Sequence, residues 1–366
     1  MTSPAHDPAW VRGTMTAVAV TSPKSVETVE IPIPGPLAGH ALVRVSYAGL
    51  CGTDLELLHG TASYVLDGRT RYPHVVGHEW SGTVVTAPGT GLAAGQRVVG
   101  QTMVPCGGCA HCRGGRRGLC PHMREVGLYG LQGAAAQYVR VPASSLVPVP
   151  DTVDARSAAL VEPAVTVVEA FRRAGCLPTD RVAVVGTGTI GLLAVQLAAH
   201  LAQHVDAVGV DAPALELATG LGARRGLLPG QADPSAYSLV VEASGASAGF
   251  ARALELVEPG GRVAAVGVTH EPVPQVDAAR ITLDGISVLG IRHGLDHYDE
   301  TLGLFARGVL RAAPLIHAEL PAAEARQAFR TLETGRGARP KILLSFDAAD
   351  AADAADAREA EEAHVR

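Results

Sequence analysis

Arg181-Val182-Ala183-Val184-Val185-Gly186-Thr187-Gly188-Thr189-Ile190-Gly191 decides the fold of this 366-residue chain. The apolar run after Arg181 reads as a buried strand, and the three glycines form a G-x-G-x-x-G turn that opens a helix. Gly186 makes the tight turn, Gly188 lets a pyrophosphate approach the backbone, and Gly191 lets the helix pack closely on the sheet. Around Thr189 and Ile190 the helix N-terminus adds N–H donors and a partial positive charge. In a chain with 42 glycines the motif alone is weak. Its context strengthens it, because a second strand ends at Asp211, 20 residues after Gly191, where a carboxylate can accept hydrogen bonds from an adenosine ribose. An acid there, with no arginine immediately after it, repels a 2′-phosphate and favours NAD over NADP.

Outward from this turn the chain alternates strands and helices. Strands are expected at 181–186, 205–210, 238–242, 262–268 and 286–291, with helices at 190–201, 213–221 and 249–257. Such alternation means a doubly wound parallel sheet with crossover helices, an α/β fold. The stretch between Ala223 and Ser238 is too short for the usual crossover helix, so one side of this domain should be trimmed. Earlier in the chain, valine-, glycine- and proline-rich sequence holds short runs at 41–48, 82–86, 97–100 and 136–141, which read as a β-rich module with many reversals. The expected division is 14–160 for that module, 161–292 for the dinucleotide-binding domain, and 293–346, with a helix at 298–307, returning to the first module. Residues 347–366 repeat Ala-Ala-Asp and then turn acidic, which reads as a solvated tail, disordered or loosely helical.

Composition narrows the function. Hydrophobic residues make up 47% and charged residues 18%, as in a compact protein. The formal charge of −6 gives no electrostatic reason to expect nucleic acid or anionic lipid as a partner. No signal peptide is evident and no run of about 18 apolar residues exists, so a cytoplasmic protein is expected.

Four of the six cysteines, Cys106, Cys109, Cys112 and Cys120, fall in a C-x2-C-x2-C-x7-C pattern rich in glycine. Four thiolates that converge on one ion make a closed, structural Zn²⁺ site, and clustered thiols without export favour metal over disulfides. A thiolate, an imidazole and carboxylates also occur at Cys51, at His78-Glu79 and at Glu162. Three such ligands leave a fourth position on zinc for water or substrate, but spacing alone does not bring them together.

The motifs in order, Cys-Gly-Thr-Asp at Cys51, Gly-His-Glu at Gly77, the four-cysteine lobe at 106–120, Val-Glu-Pro at Val161 and the glycine loop, resemble the zinc-dependent medium-chain alcohol dehydrogenases. Within them the chain is most similar to the polyol and threonine dehydrogenase branch, from about Thr14 to Phe346. The resemblance implies a GroES-like catalytic domain built from both chain ends, a Rossmann domain, and an active site in the cleft. It implies a catalytic zinc on Cys51, His78 and Glu79, and a structural zinc on the cysteine lobe. Thr53 stands where the family has its proton-relay hydroxyl, and Glu162 where a carboxylate binds the zinc or holds its water. Asp54 becomes a partner for His78. Cofactor contacts are implied at Gly186, Gly188, Thr189, Ile190, Gly191, Asp211, Val266, Gly267 and Arg292. The chemistry would be hydride transfer from a secondary alcohol to NAD⁺, in a homodimer or homotetramer.

Several positions depart from the pattern. Glu56 replaces a relay histidine, and Leu57 replaces a tyrosine that sorbitol-type enzymes use against substrate. His59 either substitutes for the relay or is an exposed loop residue. Arg292 either meets a substrate hydroxyl or carboxylate or is a surface arginine. Glu216 stands where relatives often place a base near the ribose, and Cys176 fits no ligand set. These departures, with the Gly-His-Glu-Trp-Ser-Gly and Val-Glu-Ala-Ser-Gly runs, lean toward aminocyclitol dehydrogenases, with cyclitols, open-chain polyols and β-hydroxy amino acids as the other substrate classes. Two other readings compete. One is a zinc-ribbon binding protein using the basic lobe around Arg113, Arg116 and Arg117. The other is a zinc-free NADPH reductase of activated alkenes, which the presence of Cys51, His78 and Glu79 opposes.

Overall fold

The computed structural model describes residues 11–269, 276–335 and 337–346. The chain divides into two compact units, Met1–Glu162 with Ala318–Gly335 and Ile342–Arg366, and Pro163–His317 with Arg336–Lys341. Residues 293–317 therefore group with the second unit, although the sequence pattern placed them with the first. The physical reason lies in helix Tyr298–Ala306, whose Tyr298, Thr301, Leu302, Leu304 and Phe305 are buried. It is tied to helix Val161–Ala174 by His297 to Glu169 at 2.8 Å and Arg172 to Glu300 at 2.5 Å. The expected tail at 347–366 lies outside the described residues.

The first unit is built mostly from antiparallel strand pairs, with one parallel pair, Arg124–Val126 beside Gly130–Leu131. Its largest sheet runs Leu146–Pro148, Arg97–Gly100, Glu79–Thr86, His40–Leu50, Lys341–Ser345 and Ile316–Pro321 side by side, with Tyr138–Pro142 also paired to His40–Leu50. His40–Leu50 is buried along most of its length, so it carries the core. It also ends at Leu50, delivering Cys51 at its exit, while Gly49 pairs with Glu79 across the sheet. Thr14–Ser22 forms a second sheet with Ser25–Pro32 and His74–Val75. A third small sheet, Met103–Val104 with Arg124–Val126 and Gly130–Leu131, brackets the cysteine lobe.

The second unit holds a six-stranded parallel sheet in the order Arg225–Leu227, His204–Val208, Arg181–Val185, Tyr237–Glu242, Val257–Ala265, Ser287–Gly290. Val182, Ala183, Val184, Leu239, Val240 and Val241 are all 0% exposed, as strands covered on both faces must be. Between Arg225–Leu227 and Tyr237–Glu242 the chain makes only the short 3₁₀ turn Pro229–Gln231, so the crossover helix is missing there, as its length required. The strand order reverses between Arg181–Val185 and Tyr237–Glu242. That switch point is where open parallel sheets bind ligands, at the carboxyl ends of the strands.

Candidate metal centres and dinucleotide loop

The Cys51 centre begins as a helix cap. Cys51 is extended (φ −137°, ψ 172°) ahead of helix Gly52–His59, and its Sγ accepts the Thr53 N–H at 3.4 Å. Asp54 reaches back to accept the Cys51 N–H at 2.9 Å, completing a reciprocal cap. The sulfur therefore sits at the positive end of a helix, which suits a negatively charged ligand atom. Asp54 is fully buried, and its other oxygen lies 3.5 Å from His78 Nδ1. This leaves His78 Nε2 facing Cys51 Sγ at 3.3 Å. Gly77 sets the turn that makes this possible. Its φ is +97°, and a Cβ there would strike the backbone of Ala135.

Burial works against charge on His78, yet Asp54 and Cys51 outweigh it and hold the imidazole pKa well above its ordinary value. A buried site that stabilises a charged imidazole is one that favours a cation. Ligand atoms of Cys51, Asp54 and His78 lie within 4.8 Å of one another, as do those of His78, Glu79 and Glu162. His78 is thus the corner shared by two sets. No such set joins Cys51 to Glu79 among the described residues, because Glu79 opens a strand and its carboxylate packs against Gly49. The combination of thiolate, imidazole and carboxylate matches zinc chemistry.

The cysteine lobe converges more tightly. Cys109 caps the short helix Ala110–Arg113, with Sγ 3.4 Å from the Cys112 N–H, and Cys120 Sγ accepts the Cys106 N–H at 3.4 Å. Sγ of Cys109 is 3.5 Å from that of Cys112 and 3.9 Å from that of Cys120. Zn–S bonds of about 2.3 Å in a tetrahedron give sulfur–sulfur edges of about 3.8 Å, so the four thiols fit the ion. Their protonation divides. N–H groups of Gly108 and Cys109, with Cys120, pull the Cys106 thiol down to about 6, whereas burial and the neighbouring sulfurs Cys109 and Cys120 push Cys112 up to about 12. Only a cation resolves that competition in favour of four thiolates.

In the second unit the glycine turn follows strand Arg181–Val185 directly. Gly186 has φ +106°, and a Cβ there would meet the backbone of Ala243 and Ser244. Gly188 caps helix Thr189–Leu201, and a Cβ on Gly191 would collide with the Gly186 carbonyl. Asp211 caps helix Ala212–Gly220 just past strand His204–Val208. Val266 and Gly267 leave strand Val257–Ala265 with both N–H groups bonded to the Glu242 carbonyl, and exposed Arg292 follows strand Ser287–Gly290. All these positions lie at the carboxyl edge of one sheet.

The remaining sequence expectations divide. His59 turns away to pair with Glu333 at 2.9 Å, and Leu57 is fully buried while its carbonyl accepts the Tyr72 hydroxyl at 2.7 Å. Glu216 is exposed on its helix. Burial, with Asp180 nearby, pushes the Cys176 thiol up to about 11, and it joins no metal-ligating group among the described residues. Sequence reasoning missed Glu242, which is 1% exposed and accepts the Ser244 N–H at 2.8 Å, fixing the loop beside Gly245. An acid ending an apolar strand was its only signal.

Residues 37–151 match the alcohol dehydrogenase GroES-like domain family, and residues 189–307 match the zinc-binding dehydrogenase family. The chain is 30% identical over 343 residues to an L-threonine 3-dehydrogenase of Anaeromyxobacter sp. strain K, covering 87% of this chain and 95% of that one. An alcohol dehydrogenase from Thermus sp. ATN1 superposes with a TM-score of 0.83 at 31% identity, over 90% of this chain and 99% of that one. A zinc-binding dehydrogenase from Sinorhizobium meliloti 1021, solved bound to NADP, superposes with a TM-score of 0.82 at 28% identity, over 91% and 99%. The chain therefore belongs to the zinc-dependent medium-chain alcohol dehydrogenase family. It is an oxidoreductase of that class, with zinc and a nicotinamide dinucleotide as its cofactors. Among the described residues no helix is long and apolar enough to cross a membrane.

Proposed function

We propose that this enzyme oxidises a secondary alcohol on a small, polar, hydroxyl-rich molecule, a polyol, cyclitol or aminocyclitol, to the ketone with NAD⁺. The observation that carries the reading is the pairing of Cys51 Sγ with His78 Nε2 at 3.3 Å, flanked by the Glu79 and Glu162 carboxylates. Cys51, His78 and Glu79 would hold a catalytic zinc once the Glu79 carboxylate leaves its place against Gly49, with Glu162 as a further ligand or as the holder of a water. Zinc there would supply the Lewis acidity that lets an alcohol lose its proton near neutral pH. Thr53 would pass that proton outward, with Glu56 one turn along the same helix as its acceptor. Asp54 fixes the His78 ring so that Nε2 stays turned toward the sulfur. The alcohol gives up a hydride to the nicotinamide and a proton to this relay, and a ketone remains.

Cofactor choice rests on Asp211, whose carboxylate would take the ribose hydroxyls and repel a 2′-phosphate. The NADP-bound relative keeps the alternative experimentally open, so both cofactors belong in the assay. The name of the threonine dehydrogenase relative supports a second substrate class, the β-hydroxy amino acids. We further propose a cytoplasmic homo-oligomer.

The test is NADH formation across polyols, cyclitols, aminocyclitols and L-threonine, with Cys51→Ser as control. The variant should lose at least about 10³-fold in kcat, keep NADH affinity, and carry one zinc per chain instead of two. Substantial remaining turnover would take Cys51 out of the catalytic site.

A further inference from the structure

One buried carboxylate of the second unit takes no part in the chemistry above, yet the loops that would receive the cofactor are tied to it. Glu242 is 1% exposed at the end of strand Tyr237–Glu242, between Val185 and Ala265 of the flanking strands. A carboxylate in such a place is costly unless hydrogen bonds hold it. Its Oε1 accepts the Ser244 N–H at 2.8 Å and the Ser244 hydroxyl at 2.5 Å. Ser244 Oγ accepts the Ala246 N–H at 3.1 Å, just ahead of helix Ser247–Leu256. The main chain of Glu242 adds two more bonds, its carbonyl accepting the N–H groups of Val266 at 2.9 Å and Gly267 at 3.0 Å.

Three glycines mark how closely the surrounding loops are pressed onto this anchor. A Cβ on Gly267 would strike Glu242 Oε2 and the Gly245 nitrogen, and one on Gly249 would strike Ser244 Oγ. On the other side, a Cβ on Gly186 would strike the Ala243 and Ser244 backbone, and the Ala243 N–H donates to the Val185 carbonyl at 2.8 Å. The dinucleotide turn, the 243–246 loop and the 266–267 exit therefore meet at one buried carboxylate. Asp211, the proposed ribose partner, follows strand His204–Val208 on one side of the switch point. That leaves the nicotinamide half for the other side, where strands Tyr237–Glu242 and Val257–Ala265 end.

We propose that Glu242 is a positioning residue for the nicotinamide half of the dinucleotide, acting through the Ser244–Ala246 and Val266–Gly267 loops that it holds in register. The proposal rests on the cofactor placement given above. Loops fixed before binding spare the cofactor the entropy of ordering them, and the saving appears as affinity for the half they receive. The adenosine half, on the Asp211 side, gains nothing from this anchor.

The test compares Kd for NADH with Kd for 5′-AMP, which carries only the adenosine half, by calorimetry on the full-length, zinc-loaded enzyme. Glu242→Gln keeps the shape but turns one oxygen into an N–H donor, facing either Gly267 or the Ser244 N–H. It should weaken NADH by at least about tenfold while moving AMP less than about twofold. Ser244→Ala, at an exposed position, should weaken NADH in the same selective way with a melting temperature lowered by less than about 3 °C. In the double variant the two losses should not multiply, because both break one device, and losses that multiply would overturn the shared anchor. Parallel weakening of NADH and AMP would mean a general loosening of the domain and would also overturn it. Unchanged NADH affinity in variants of an enzyme that oxidises alcohols overturns the anchor and leaves the dehydrogenase reading standing. Selective loss of NADH, in an enzyme that oxidises none of the alcohols, supports the anchor and overturns only the substrate reading. Failure of the unaltered enzyme to bind NADH would overturn both.

Discussion

Asp206 shows how single residues are made to tolerate burial in this protein. Its carboxylate is 0% exposed within a parallel strand, which pushes its pKa up, but hydrogen bonds from Arg224, Arg225 and the Tyr237 hydroxyl outweigh burial and hold it at about 2. The bonds are 2.8 Å to Arg224, 2.7 Å to Arg225 and 2.9 Å to Tyr237. Because the folded pKa lies below the ordinary 3.8, the carboxylate stabilises the fold fully above about pH 4, and that stabilisation is lost as pH falls through about 2. Asp206→Asn should cost about 2–3 kcal/mol at pH 7. In denaturant midpoints the gap between the two proteins should stay constant from pH 5 to 8 and narrow below about pH 4. A gap independent of pH would mean that packing, not charge, is what the residue supplies. Nothing local to Asp206 announced this role, since its partners come from positions 18 to 31 residues later in the chain.

At the scale of elements, the strand–turn–helix at Arg181–Gly191 and the cysteine lobe were legible for the same reason. In each, the residues that must meet are close in sequence, and backbone geometry brings them together. The lobe makes a prediction of its own. It holds little apolar material, so its order should depend on the ion. Cys112→Ser should leave one zinc per chain by metal analysis and lower the melting temperature by several degrees, with NADH affinity unchanged. Two zinc ions retained in the variant would place the structural ion elsewhere. Helix Gly52–His59 was less legible. Its cap by Cys51 and Asp54 follows from spacing, but the direction in which His59 and Leu57 point was set by Glu333 and by the core.

For the whole molecule, the parallel sheet leaves Ser287–Gly290 as an edge strand, with Val288 38% exposed. Open edges are templates for pairing with a second copy. If oligomers form through that edge, Val288→Lys should shift the native mass measured by light scattering toward the monomer while cofactor affinity holds. An unchanged mass would assign the interface to another surface.

Sequence alone determined five of the six strands of the parallel sheet, missing the three-residue edge strand Arg225–Leu227, together with the trimmed crossover before Tyr237, the dinucleotide turn and the four-cysteine lobe. Those features depend on periodicity and on short-range spacing, which the chain carries locally. The tertiary structure decided the rest. Cys51 and His78 are 27 residues apart and meet because strand His40–Leu50 and the Gly77 turn end at one place. Tyr64 and Tyr129 are 65 residues apart and bring their rings to 5.7 Å because helix Ser63–Leu66 folds against the turn after strand Arg124–Val126. The grouping of residues 293–317 with the second unit was decided by side chains on helices far apart in sequence. Long-range contacts of this kind leave no period in a sequence, so packing and charge complementarity selected them only once the chain had folded.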